Sequence, residues 1–318
     1  MKETIPQSMN ALRLHAPGGV SALVYERIDT PRPKPGEVLV RVHAAAITRG
    51  ELEWPADRLP AIPSYECSGV VAATASDMND VAMGEEVYAL TGFDRDGAAA
   101  DYTIVRKEVV ARKPRTLSHV ESATIPLAAL TAWQALFDHG ELRVGQRVLI
   151  HGAVGGVGSM AVQLAHRRGA HVIGTASTGS LDNARRLGAD EVVDHKTMRF
   201  EDIVNEVDLV FDTVGGEALE RSPAVVRRGG RLISIASKPS QERAAERGIA
   251  AIYFIVEPNR AQLAEITKLV DSHELRPTVA DVFALKDGRS AFARSLDREH
   301  RGKVVLRVID GGQRSFGE

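Results

Sequence analysis

The chain has 318 residues, of which 44% are hydrophobic and 26% charged, a balance that argues against a disordered or fibrous chain. At this length roughly 75% of the unfolded surface can be buried, and two domains are expected. Forty basic residues against 42 acidic ones leave a formal net charge of −2, which argues against nucleic-acid binding as the main activity. The single cysteine, Cys67, excludes an intramolecular disulfide and a Cys-based zinc cage and suits a reducing compartment. Residues 1–10 carry no secretory pattern, and the longest strongly apolar run, Ile249–Val256, is far short of a membrane span. The expectation is a cytoplasmic protein with no membrane partner, with residues 1–8 and 310–318 as loose tails.

The region up to about Glu121 reads as short strands and turns. Glu37–Val42 alternates polar and apolar residues after the turn Pro31–Gly36, and Ser68–Ala72 and Glu86–Leu90 are further strands. A partly closed β barrel is expected. After Ser118 the pattern changes. A helix is predicted from about Ala128 to His139, then strands at Arg147–Ile150, His171–Thr175, Glu191–Asp194, Asp208–Asp212, Arg231–Ile235 and Ile249–Val256. Helices are predicted between them at Ser159–Arg168 and Glu217–Arg227. Six apolar strands alternating with helices predict an α/β doubly wound parallel sheet. A helix at Ala261–Leu275 and a strand at Lys303–Val308 follow, and the latter resembles the early β region. The domains are therefore predicted as 1–121 with 258–318, and 122–257.

The strongest motif is His151-Gly-Ala-Val-Gly-Gly-Val-Gly158, between the strand ending at Ile150 and the helix opening at Ser159. Ala153, Gly155 and Gly158 fall on the three positions of a G-x-G-x-x-G dinucleotide fingerprint, with Ala in the first. Gly155 lets a pyrophosphate approach the backbone, Gly158 lets the helix pack on the strand, and the helix N-terminus, with Gly156 and Val157, offers N–H groups and partial positive charge. A purely structural turn is the bland alternative.

Cofactor choice is read from the end of the second strand of that unit. An NAD site carries Asp or Glu about 20 residues on. Here the stretch is Thr175-Ala-Ser177-Thr178-Gly-Ser180, without an acid. Hydroxyls and backbone amides accept a 2′-phosphate where a carboxylate would repel it, so NADPH is favoured over NADH. Arg185 could add charge, or belong with Arg186 to a solvated helix face.

None of the ten histidines pairs at i+3 or i+4, and His166 and His171 do not form a ligand pair. No zinc is expected. Hydride transfer without a Lewis acid suits acceptors that are already electrophilic, such as quinones and conjugated enones.

The motifs Leu130-Thr-Ala-Trp-Gln-Ala-Leu136, Gly145–Gly158, Val162-Gln-Leu-Ala165 and Leu187-Gly-Ala-Asp-Glu-Val-Val-Asp194, behind a β domain, resemble the medium-chain dehydrogenase/reductase superfamily, in its zinc-independent quinone oxidoreductase branch. The resemblance runs from about Met9 to Val308. It implies a discontinuous GroES-like catalytic domain, an inserted Rossmann domain, a substrate cleft between them, and commonly a homodimer. The Gly-His-Glu motif of the zinc alcohol dehydrogenases is matched by Ser64-Tyr65-Glu66, and the first zinc Cys by the Ala44–Ile47 region, so both ligands are absent, as is the four-Cys lobe. The Asn-x-x-Asp of quinone reductases is matched by Thr48-Arg-Gly-Glu51.

By matching position, Thr131 is assigned near the nicotinamide ribose, His195 beside the adenosine end, Val214, Ala236 and Ser237 after the fourth and fifth strands, and Phe254 to Val256 at the carboxamide. Each has a bland reading as well: a helix back-bond for Thr131, a surface position for His195, core or dimer edge for Phe254. The reaction these readings imply is hydride transfer from NADPH to a quinone or to the β-carbon of an enone or alkenal. Thr48, Tyr65 and backbone amides are candidate oxyanion donors. Tyr65 could also be a general acid, or a residue packed beneath the barrel strand. Asp94, Arg95 and Asp96 read as an ion cluster or as substrate contacts, and 5% aromatic residues offer little sign of a stacking platform. An enoyl-thioester reductase and a non-catalytic NADPH-binding sensor are the competing functions.

Overall fold

Met9 and Ala11 on one face and Leu12 and Leu14 on the other are buried in β1 (Ser8–Leu14), which pairs antiparallel with β2 (Leu23–Asp29). The computed structural model describes residues 4–55, 57–75, 81–297 and 301–309. The Asp310–Glu318 tail and residues 1–3 lie outside them. Strand β1 already includes Ser8, and the Gln7 carbonyl accepts from Thr30 N–H at 2.9 Å, so residues 7 and 8 are not a loose tail.

Next come β3 (Glu37–Ile47), β4 (Glu66–Thr74), β5 (Glu86–Leu90), β6 (Tyr102–Arg106), β7 (Val110–Arg112) and α1 (His119–Ala123). Helix α1 starts at a capping box in which Ser118 and Glu121 exchange side-chain and backbone hydrogen bonds. Then α2 (Pro126–Trp133) runs into a π-helical turn, Gln134–His139.

The alternating stretch is β8 (Arg147–His151), α3 (Gly156–Arg167), β9 (His171–Ala176), α4 (Leu181–Arg186), β10 (Glu191–Asp194), β11 (Val207–Asp212), α5 (Gly216–Arg221), β12 (Val226–Ser234), α6 (Gln241–Arg247) and β13 (Ala250–Tyr253). The chain ends with α7 (Arg260–Asp271), β14 (Val279–Ala284), α8 (Gly288–Leu296) and β15 (Lys303–Arg307).

Two compact units result: Met1–Leu127 with Pro258–Asp271 and Thr278–Glu318, and Ala128–Glu257 with Ser272–Pro277. In the first, β14-β15-β3-β4-β5-β7 form one sheet, with β6 also paired to β3. Its pairs are antiparallel except β14 with β15, which are parallel and joined through α8. Tyr88 ties α7 to this sheet by donating to the Leu263 carbonyl at 2.8 Å. In the second unit the parallel order is β10-β9-β8-β11-β12-β13, the 3-2-1-4-5-6 arrangement of a doubly wound dinucleotide fold. Its core is aliphatic, with Leu149, Ile173, Val210 and Leu232 buried from successive strands. Residues 272–277 belong here because Gln163 and Arg276 exchange hydrogen bonds at 2.9 and 3.0 Å.

Three predicted spans are corrected. The Glu217–Arg227 helix stops at Arg221, because Pro223 opens a separate 3₁₀ turn and Val226 already pairs with Val207 in β12. The sixth strand is Ala250–Tyr253, so Phe254 and Val256 lie beyond its end. The helix at Ala261–Leu275 ends at Asp271.

Candidate active site

In the second unit, β8 delivers the chain into a tight turn. The His151 carbonyl accepts from Thr213 Oγ1 at 2.7 Å, and the Gly152 and Ala153 amides reach the Thr175 hydroxyl and carbonyl at 3.2 and 3.0 Å. A Cβ on Gly158 would lie 2.0 Å from the Gly152 carbonyl oxygen, so only glycine lets α3 fold back on β8. A Cβ on Gly155 would meet nothing closer than that same oxygen at 3.3 Å. That contact is tight but is relieved by a shift of a few tenths of an ångström, unlike the clash at Gly158, and the bare backbone there leaves room for a ligand to approach. The first intrahelical bond of α3 is Ser159 N–H to the Gly155 carbonyl at 2.9 Å, so the amides of Gly156, Val157 and Gly158 face out of the helix start. A diphosphate fits this cradle.

Asp212 organises the neighbouring loop and was not singled out from the sequence. It is wholly buried and accepts from the amides of Val214 and Gly215 at 3.1 and 3.0 Å and from Ser234 Oγ at 2.8 Å. Ser234 in turn accepts from the Ala236 amide at 3.2 Å. The loops after β11 and β12 that carry Val214, Ala236 and Ser237 thus share one buried carboxylate. Thr131 is buried within α2. Gln134, also missed, holds the Glu257 peptide from both sides at 2.8 and 3.0 Å and so fixes the segment containing Phe254 and Val256.

The absence of an acid near Ser177 holds along the sequence and fails in space. Asp194, at the end of β10, accepts from Thr178 Oγ1 at 2.6 Å and from the Lys196 amide at 2.9 Å. The Thr178 hydrogen bond, first, holds its carboxyl below the usual range. His195 and Lys196 follow it directly, both exposed. Arg185 pairs with Asp182 at 2.8 Å on the surface of α4, the solvated-face reading.

In the first unit, the ends of β3, β4 and β15 bring three polar residues together. The register pairs Ala46 with Glu66 and Ile47 with Val304, so Thr48, Glu66 and Lys303 sit side by side. Lys303 Nζ donates to Thr48 Oγ1 at 2.7 Å and is ion-paired to Glu66 Oε1. The other oxygen of Glu66 accepts from the Leu127 amide at 2.8 Å. Glu51 is buried beside them and accepts from Ser64 N–H at 3.2 Å. Burial pushes the Glu51 carboxyl up to about 8, against the attraction of Lys303. Folded Glu51 thus keeps its proton up to about pH 8, whereas the unfolded chain loses it near 4.5. Its contribution to stability is fully present below 4.5 and is lost as pH rises through 8. Glu51→Gln removes this loss, so its urea midpoint should exceed that of the wild type above pH 8 and change less between pH 6 and 9.

Tyr65 is wholly buried, and burial pushes its phenol up to about 12, which leaves it protonated and makes it a weaker acid than a free tyrosine. Its hydroxyl accepts from Arg58 at 3.3 Å. Its ring joins Trp54 and Phe93 in a cluster with centroids 5.1–5.6 Å apart. The low aromatic content concealed this: three aromatics converge on one place, and Trp54 is 39% exposed. Asp94, Arg95 and Asp96 pair with Arg106, Glu37 and the Ile62 amide, so they take the ion-cluster reading.

Two family models match the chain: an alcohol dehydrogenase GroES-like domain over residues 34–115 and a zinc-binding dehydrogenase domain over residues 187–306. A probable zinc-binding mitochondrial oxidoreductase of Arthroderma benhamiae is 34% identical over 96% of this chain and 98% of its own length. The chain belongs to the medium-chain dehydrogenase/reductase superfamily, in its quinone-oxidoreductase-like branch. A chloroplastic NADPH-dependent alkenal/one oxidoreductase of Arabidopsis thaliana is 32% identical over 96% of this chain and 81% of its own. A quinone oxidoreductase structure from Coxiella burnetii superimposes with a TM-score of 0.89, at 29% identity, over 95% of this chain and all of the other. Within this superfamily the two units are a GroES-like domain and a Rossmann-like domain, and the chain is a nicotinamide-dependent oxidoreductase. Among the described residues, no helix is long and apolar enough to cross a membrane.

The name of one matching family model raises zinc, and the donors do not fit it. Tyr65 stands at the histidine position, and Glu66 is ion-paired to Lys303. Cys67 is buried in β4 with its thiol pushed up to about 12 by burial. Among the described residues no three His, Cys, Asp or Glu are grouped to hold an ion.

Proposed function

We propose that this member of the superfamily is an NADPH-dependent reductase of quinones and electron-poor enones or alkenals that works without a metal. The observation that carries the reading is the pairing of a backbone phosphate cradle at 152–158 with a Lys303–Glu66 ion pair where zinc relatives would need ligands. Gly155 to Gly158 would hold the diphosphate, with Val214, Ala236, Ser237, Phe254, Val256 and Thr131 along the nicotinamide half and Ser177, Thr178 and His195 at the adenosine half. When bound, the dihydronicotinamide supplies a hydride. The protein's part is to orient acceptor and ring and to meet the oxyanion that develops on a quinone or enone oxygen. Thr48 is the donor assigned to this role, being half-buried and hydrogen-bonded to the Lys303 ammonium group. The exposed face of Trp54, backed by Tyr65 and Phe93, suits a flat conjugated acceptor.

The preference for NADPH is supported by the hydroxyls of Ser177 and Thr178 and the exposed His195 and Lys196, and by the Arabidopsis relative's name. Asp194 limits the preference, since its carboxylate stands beside Thr178. The test is a thermal-shift comparison of NADPH with NADH, followed by NADPH oxidation with a panel of quinones, enals and an enoyl-CoA. The expected result is a larger shift with NADPH and turnover of quinones and enals. A larger shift with NADH overturns the cofactor assignment, and turnover confined to the enoyl-CoA overturns the substrate class.

A further inference from the structure

We propose that Lys303 is a positioning residue that fixes the Thr48 hydroxyl as a hydrogen-bond donor to an oxyanion. The inference rests on the reductase reading above only in taking that oxyanion to be the acceptor's oxygen. An ammonium group has three donors and no acceptor. In the 2.7 Å contact Lys303 therefore donates and Thr48 Oγ1 accepts, which turns the threonine proton away from Lys303 and toward another acceptor. Among the described residues, the Thr48 hydroxyl donates to none. The donor is strengthened because hydrogen bonds in series polarise one another at low local dielectric.

A purely structural salt bridge would account for Lys303 and Glu66 and leave the rest unexplained. Glu66 alone neutralises Lys303, and its second oxygen is occupied by the Leu127 amide. Glu51 nonetheless lies in the same buried cluster, with its Oε2 lacking a hydrogen-bond partner. Kept protonated by burial, it adds no negative charge. The cluster then holds one cation and one anion, with the cation nearest Thr48. That arrangement favours negative charge arriving at the Thr48 hydroxyl and disfavours it at Glu51 or Glu66.

The test uses 4-nitrophenol, whose absorbance distinguishes phenol from phenolate, bound to the full-length protein saturated with NADP⁺. The wild type should prefer phenolate by about tenfold, read as a bound pKa about one unit below that in free solution. Thr48→Val should abolish the preference, and Thr48→Ser should recover it. Lys303→Met combined with Glu66→Gln removes both charges together, so no ion is stranded, and should also abolish it; Lys303→Arg should recover part. In the quinone assay the same variants should lower kcat at least about tenfold with KM little changed. Retention of the phenolate preference in Thr48→Val, or in the charge-free double variant that melts like the wild type, overturns the inference even if quinones are reduced. If the wild type shows the preference, lost in both variants, yet reduces no acceptor, the oxyanion donor stands and the reductase reading fails.

Discussion

Gly158→Ala should unfold the dinucleotide unit's turn, whereas Gly155→Ala should leave the fold intact and weaken cofactor binding. The two glycines lie three residues apart in one motif, and the difference follows from what an added methyl meets. At Gly158 it would sit 2.0 Å from the Gly152 carbonyl and 2.8 Å from its carbon, both rigid backbone. Overpacking of this kind costs about 3 kcal/mol or more, because α3 must move away from β8. At Gly155 the nearest atom is 3.3 Å away, so the loss of stability should stay below about 1 kcal/mol. The methyl would instead stand where a diphosphate approaches, and NADPH should bind about tenfold more weakly, or worse. Urea unfolding separates the two on stability, and fluorescence titration separates them on affinity. Equal stability losses would show that the Gly155 position is also closed by protein.

Folding stability should fall between pH 6.5 and about 4, because two histidines, His151 buried and His119 partly buried, outweigh the opposite contribution of Glu51 in that range. His151, 1% exposed, bridges Thr175 and Ser222 at 3.3 and 3.0 Å, and burial depresses its pKa to about 4. His119 stacks on His43 at 4.2 Å and contacts Ser68 Oγ at 2.8 Å, and burial, then His43 and Lys113, depress it to about 4 as well. Both have a reference value of 6.5. Between 6.5 and 4 the unfolded chain binds protons that the folded chain refuses, so stability decreases as pH falls through that window. Each site contributes up to about 3 kcal/mol, and the loss levels off below pH 4. The measurement is the urea midpoint from pH 7.5 to 4. His119→Gln should flatten its share of the slope, and an unchanged slope would show that the ring is already protonated in the folded state. The Ser68-His119-Glu86 contact looks like a hydrolytic triad, but Ser68 is wholly buried and donates to the Val87 carbonyl, so no nucleophile is presented.

The parallel sheet was legible because each of its strands is a short apolar run cut by glycine or a charged turn, and the fingerprint sits where a strand hands over to a helix. The strands β1, β2 and β14 and the helix α8 were not legible. Val24 and Tyr25 on β2 and Val282 on β14 are partly exposed, which blurs the alternation that marks a half-buried strand. Helix α8 begins at Gly288, a poor helix former whose bareness is explained only by Leu12, 2.4 Å from where its Cβ would lie. Of the candidate site, the local motif at 151–158 could be read, because it lies in one continuous stretch between a strand and a helix. The cluster of Thr48, Glu51, Glu66 and Lys303 could not, because Lys303 reaches Glu66 through strand pairing from the far end of the chain. The same is true of Asp194, which a search along β9 misses because β10 brings it beside Thr178.

The most direct test of hydride transfer to an activated alkene is to supply NADPH carrying deuterium at the transferring position of C4 and an α,β-unsaturated ketone, then locate the label in the product. The mechanism predicts deuterium on the product's β-carbon and a solvent-derived hydrogen on its α-carbon. Deuterium left on the nicotinamide, or a reduced product carrying no label, would contradict it.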